Sequence, residues 1–181
     1  MIERLSEKYA YDEVNLVFAR GLPLTRLKAG IARAPRMIVA SGEADGWAWV
    51  VHLMHDAEEE DYDRVDYRPL CPTGTELVLF ETEPCRGKGH GPAFTYYRDG
   101  RTVVHFSFED LRQRVGDDPD HLSPELLAAG LIGPGNPCPS AGEDGHLCWE
   151  HSDADELRLL RTLAAYFTLP SPPFTPEVTR P

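Results

Sequence analysis

Positive charge is what this chain has least of. Lysine occurs three times and arginine fifteen, against thirty carboxylates, which leaves a net charge of −12 over 181 residues. A surface so short of cations is a poor partner for phosphate backbones and anionic membranes, so nucleic-acid and lipid binding are excluded as first readings. Long apolar runs are missing too: no stretch approaches the ~18 residues of a membrane span. The opening Met1-Ile2-Glu3-Arg4-Leu5-Ser6-Glu7-Lys8 lacks the apolar core of a secretory signal, and a cytoplasmic protein is expected. Cysteine is limited to Cys71, Cys85, Cys138 and Cys148, which in a reducing compartment serve as thiols or metal ligands rather than disulfides. The chain has no nucleophile motif, no His-x-Glu zinc signature and no P-loop. Arg86 to Gly91 is glycine-rich, but no Ser or Thr follows Lys88, and a turn or hairpin connector is the better reading.

Acid is abundant, and it is concentrated. Residues His55 to Tyr67 hold seven carboxylates and one arginine, a net −6 that is half the charge of the chain. Such a block repels itself and stays solvated, so it either serves no purpose in folding or meets a basic partner. Asp56, Glu58, Glu59, Glu60, Asp61 and Asp63 are the candidate partner-binding residues. The order needed for a calcium loop is absent.

Apolar periodicity supplies the fold class. Tyr11, Val14, Val17 and Phe18 recur at helical spacing before Gly21, and Leu24, Leu27, Ile31 and Ala34 repeat the pattern before Pro35; two N-terminal helices are predicted. Met37 to Ala40 reads as a strand followed by a Ser41–Gly46 turn. Trp47 to Met54 is apolar on both faces, as a central strand is, with both indoles on one face and packed in the core. Glu76 to Phe80 is a further strand. Asp99-Gly100 between Ala93–Arg98 and Arg101–Phe106 is the signature of a two-residue type I′ hairpin, pairing Tyr96 with Val103 and Phe94 with His105. Pro119 or Pro124 opens a helix bearing Leu122, Leu126 and Leu127 that Gly130 ends. Ser152 is the expected N-cap of a last helix with Leu157, Leu160, Ala164 and Phe167 on its apolar stripe.

These elements predict an α+β domain over residues 1–169: a mostly antiparallel sheet of four to five strands from Met37 to Phe108, with the N-terminal and C-terminal helices packed on it. The acidic loop 55–67 and a Cys/His-bearing loop 133–151 interrupt it, and a proline-rich tail occupies 170–181.

Chemistry-bearing candidates are few. No residue is assigned a catalytic role; His52 and His105 fall in predicted strands and are the two placed to act as a general base, with a packed sheet histidine as the simpler account. Cys138, His146, Cys148 and His151 lie within fourteen residues and carry zinc's preferred ligand atoms. Their irregular spacing favours a loop with reduced thiols, so no cofactor is predicted and zinc is the minor alternative.

The ordered pattern Phe18-Ala19-Arg20-Gly21-Leu22, Gly46-Trp47-Ala48, Gly74-Thr75-Glu76-Leu77-Val78, Tyr97-Arg98-Asp99-Gly100, Asp118-Pro119-Asp120-His121-Leu122 and Ala129-Gly130-Leu131 resembles an uncharacterised actinobacterial domain-of-unknown-function family. The family implies neither an activity nor an active site; the acidic and Cys/His-bearing loops look longer here than its pattern. The expected function is therefore a small acidic cytoplasmic binding or regulatory protein, immunity-like by analogy, that engages a basic protein partner. An enzyme or metal-dependent tailoring protein using the sheet face or the Cys/His loop is the alternative, which the missing motifs disfavour.

Overall fold

The computed structural model describes residues 14–34, 36–54, 65–82, 92–107, 114–133 and 149–170, with side chains from 154 onward in the last of these. Six strands, β1 (Val14–Arg20), β2 (Ile38–Ala44), β3 (Trp47–Leu53), β4 (Glu76–Glu81), β5 (Ala93–Arg98) and β6 (Arg101–Ser107), form one sheet in the order β2-β3-β1-β4-β5-β6. Every neighbouring pair is antiparallel. Among the described residues three α-helices accompany it, α1 (Leu24–Arg33), α2 (Ser123–Ala128) and α3 (Trp149–Phe167), with a 3-10 turn at Arg68–Leu70. The α+β class stands; the sheet is one strand larger than expected.

The added strand is β1, which the sequence pattern presents as a helix. Its first six residues are all buried. Leu16 and Phe18 enter one core layer while Val17 and Ala19 enter the other. A strand covered on both faces is apolar at nearly every position, so helical spacing is satisfied by accident. β1 lies between β3 and β4, pairing Val17 with Val50 and Leu79, and is the strand on which the two core layers meet.

α1 follows as the pattern predicts. Leu27 and Ile31 are fully buried over Val17, Ala48, Val50, Leu77 and Leu79, each side chain contributing roughly 1.5–3 kcal/mol of transfer free energy. On the opposite face Trp47, Trp49, Phe18, Phe94 and Phe106 pack beneath Leu122, Leu126, Leu159, Leu160, Leu163 and Phe167. Both indoles share that face as expected, and β3 is interior to the sheet. The apolar stripe of α3 passes through Leu159 and Leu163 rather than Leu157 and Ala164, which are only half-buried. Ser152 is not its cap, because the helix begins at Trp149; capping chemistry marks a place where a helix can start without forcing it to start there.

Both tight hairpins carry the same dipeptide. Asp99 (φ 52°) and Gly100 (φ 77°) make the expected two-residue turn, and Asp45 (φ 52°) and Gly46 (φ 80°) make a second one, so β2 extends to Ala44 through residues the sequence assigns to a turn. Beyond the first turn the predicted register fails. Tyr97 pairs with Thr102 but Tyr96 pairs with Val104, leaving Val103 as an extra residue, so Phe94 faces Phe106 and Thr95 faces His105. This bulge sits on the edge strand, where its cost is lowest: the Val103 carbonyl accepts from Asp118 N at 2.9 Å, and His105 exchanges backbone bonds of 2.7 and 3.1 Å with Val115. Residues 115–118 thereby cover the edge of β6.

Candidate functional site

The α1 face of the sheet is apolar over one half and polar over the other. Asn15 of β1 lies opposite His52 of β3 on one side and Glu81 of β4 on the other. All three are buried, at 2%, 0% and 6% exposure. Thr95 and His105 continue the polar region on β5 and β6, with the threonine hydroxyl 2.8 Å from His105 Nδ1. A polar residue placed in an apolar strand has to find a partner, since an unmade buried hydrogen bond costs about 1–3 kcal/mol. Here the partner comes from outside the sheet.

Tyr67, 1% exposed, reaches back over the sheet so that its hydroxyl lies 2.9 Å from Asn15 Nδ2 and 2.8 Å from His52 Nε2. The proton positions follow from the chemistry of each group. His52 Nδ1 is 2.7 Å from the Leu53 carbonyl, which can only accept, so Nδ1 carries the hydrogen and Nε2 of the neutral ring accepts. Tyr67 therefore donates to His52 and accepts from Asn15. Burial pushes the His52 pKa down to about 4, with the Leu53 bond opposing and the nearby Arg36 charge assisting. Burial likewise raises the Tyr67 phenol far above its ordinary range, partly offset by the bond from Asn15. Both side chains are neutral at physiological pH. Asn15 Oδ1 is left buried with no hydrogen-bond partner among the described residues.

This chain of bonds has a topological consequence. His52 and Tyr67 are 15 residues apart, and the acidic run lies between them. β3 ends at Leu53, and the chain returns to the sheet at Tyr67 just before the 3-10 turn. One buried hydrogen bond, itself anchored to β1 through Asn15, closes the base of the acidic segment.

The candidates named from sequence are thus distributed unequally. His52 is more deeply buried than a half-exposed sheet histidine, and both of its ring nitrogens are engaged internally. His105 is partly buried and bonded to Thr95; it is on the same face of the sheet, three strands from β1. Asp56, Glu58, Glu59, Glu60, Asp61 and Asp63 lie outside the described residues, as do Arg86 to Gly91, Cys138, His146 and Cys148; His151 falls in α3 with its side chain outside them. Cys71 is fully buried, donates to the Thr75 carbonyl at 3.2 Å, and has its thiol pKa raised by burial. Among the described residues no three His, Cys, Asp or Glu side chains converge as a metal site would, and no helix is long and apolar enough to cross a membrane.

Sequence reasoning overlooked Asn15 and Tyr67. The signal was available for the first: Asn15 and His52 are the lone polar residues in Val14–Ala19 and Trp47–Leu53, and two such interruptions in two buried strands imply a shared partner. A second polar chain was also unseen. Tyr166 Oη is 3.2 Å from His121 Nε2, and His121 Nδ1 is 3.2 Å from Asp118 Oδ2. The His121 ring stacks on Tyr96 at 5.2 Å, and Tyr96 packs on Phe167 at 4.8 Å, so this relay fastens the end of α3 to the sheet.

No family model matches the chain, and neither a curated protein nor a solved structure does.

Proposed function

We propose that this is a small acidic binding or regulatory protein, acting in the cytoplasm in an immunity-like manner, that presents the carboxylates of residues 56–63 to a basic protein partner. The observation that carries the reading is the His52–Tyr67 hydrogen bond of 2.8 Å across the base of the acidic segment. A self-repelling run gains nothing from being closed at its base by two buried polar side chains unless its position matters. Clamping the flanks limits how far the charges can wander from one end of the sheet, and this reduces the ordering cost on binding. The resemblance to an actinobacterial family of unestablished activity is compatible with the reading and assigns no residue.

The same bonds weigh against His52 as a general base. Its Nδ1 hydrogen is directed at Leu53 O and its Nε2 lone pair at Tyr67, which leaves no free nitrogen to take a substrate proton.

The test compares the full-length chain with the variant Glu58→Ser, Glu59→Ser, Glu60→Ser, Asp61→Ser as immobilised bait. A basic partner retained by the native chain should associate with the variant at least tenfold more slowly at low salt and with little salt dependence, because steering is the contribution removed. A partner that associates equally fast with both would overturn the proposal.

A further inference from the structure

The scarce positive charge of this chain is not spread evenly. From Val14 to Ala34 there are four basic residues, Arg20, Arg26, Lys28 and Arg33, and no acidic one. Arg20 is committed: its guanidinium is 2.6 Å from Glu76 and lies 4.6 Å from the Trp47 ring centroid. Arg26, Lys28 and Arg33 are exposed on α1 and make no ion pair among the described residues. Arg26 and Arg33 line one groove of about 190 Å³ between α1 and the segment that follows Tyr67, whose remaining walls include Ala29, Pro69, Leu70 and Pro72. Lys28 lies outside it.

The groove is a product of the packing. Leu70 approaches α1 because Gly30 has no Cβ; one built there would overlap Leu70 Cδ2. Among the described residues the lining is apolar apart from Thr25, Arg26 and Arg33 and includes no carboxylate. Seven residues separate Arg26 from Arg33, which in an α-helix is about 10.5 Å along the axis and nearly the same side of the cylinder. An extended polyproline-II segment repeats every three residues at about 9.3 Å, so side chains at i and i+3 share one side and match that spacing. A β-strand would turn such a pair to opposite faces.

We propose that the groove between α1 and residues 68–72 docks an acidic, polyproline-II-like segment of a partner protein, with two carboxylates three residues apart paired to Arg26 and Arg33 and apolar residues between them over Ala29 and Leu70. Each guanidinium can take a carboxylate bidentately. The net charge of −12 does not forbid this at physiological salt, where a Debye length of about 8 Å screens the distant carboxylates and leaves the paired charges coupled. The described residues of the groove include none of the acidic run's carboxylates, and the two proposals are tested with different variants, so either can fail without the other.

The experiment uses the full chain in about 150 mM salt and a fluorescein-labelled peptide, Pro-Glu-Pro-Leu-Glu-Pro, read by anisotropy. Saturable binding is expected, weakened about tenfold by Arg26→Gln or by Arg33→Gln and less than twofold by Lys28→Gln, which removes the same charge outside the groove. A peptide with Gln at both acidic positions, or with the two Glu adjacent, should bind at least tenfold more weakly. Far-UV circular dichroism should be unchanged in all three variants, since each altered residue is exposed. No saturable binding below about 1 mM peptide, or a Lys28→Gln loss equal to that of Arg26→Gln, would overturn the proposal. So would self-association of the native chain in sedimentation that Arg26→Gln and Arg33→Gln abolish, which would make a second copy the occupant.

Discussion

The Tyr67 hydroxyl lies 2.8 Å from His52 Nε2 and 2.9 Å from Asn15 Nδ2, so one phenol joins β1, β3 and the chain returning from the acidic run. Tyr67→Phe keeps the ring packing and removes only the oxygen. It leaves an imidazole acceptor and an amide donor buried without partners, each costing about 1–3 kcal/mol. The expected loss is about 2–4 kcal/mol in urea unfolding, with the far-UV spectrum retained. A loss below about 0.5 kcal/mol, the range of ordinary surface substitutions, would show that water replaces the hydroxyl.

The neutrality of His52 fixes a direction for pH dependence. Its folded pKa of about 4 is below the unfolded value of 6.5, so the unfolded chain binds the proton first as pH falls. The stabilisation is complete above pH 6.5, declines between 6.5 and 4, and by pH 5 about 2 kcal/mol of it is gone. His52→Gln cannot titrate. The gap in unfolding free energy between native and variant proteins should therefore narrow by about 2 kcal/mol from pH 7 to pH 5, a difference from which the carboxylates common to both largely cancel. A gap independent of pH would mean that His52 titrates in the fold as it does in the unfolded chain.

Which parts of this molecule could be read in advance follows from how local their causes are. Asp99-Gly100 was legible because a type I′ turn needs two positive φ angles and the dipeptide supplies them. The register beyond it was not, because the bulge at Val103 is set by residues 115–118 arriving at the edge of β6. α1 was legible because one face of Leu24–Arg33 is polar. β1 was not, because burial on both faces erases the period that separates strand from helix. At the candidate site, His52 stood out by residue type and Asn15 was marked by being the lone polar residue of its strand, whereas Tyr67 acquires meaning only from being brought to Asn15 across 52 residues.

A cross-element cap offers a test of how α1 is held. Pro23 precedes α1 and provides no side-chain cap, and Glu43 of β2 serves instead, its Oε1 accepting from Leu24 N at 3.1 Å. A carboxylate at that end also meets the positive end of the helix dipole. Glu43→Ala should cost about 1 kcal/mol, in line with a lost N-cap. Glu43→Gln, which retains an acceptor and loses the charge, should cost about half of that. Equal costs would assign the whole effect to the charge and none to the hydrogen bond.

The acidic run makes the last prediction, because it separates stability from function. Residues 56–63 carry six carboxylates, and Arg64 is the one cation beside them. Exposed like charges at this density repel by a few tenths of a kcal/mol per pair, and the repulsion is greatest where the flanks are held together, as the His52–Tyr67 bond holds them. Replacing Glu58, Glu59, Glu60 and Asp61 by Ser should leave the protein equally stable or up to about 1 kcal/mol more stable at low ionic strength. Adding salt should stabilise the native chain more than the variant, since only the native chain has that repulsion to screen. The two unfolding midpoints should then converge as ionic strength rises toward about 1 M, where the Debye length is about 3 Å. A variant that unfolds at every salt concentration would make these carboxylates part of what holds the fold, and the segment could no longer be treated as a charge displayed on a finished scaffold.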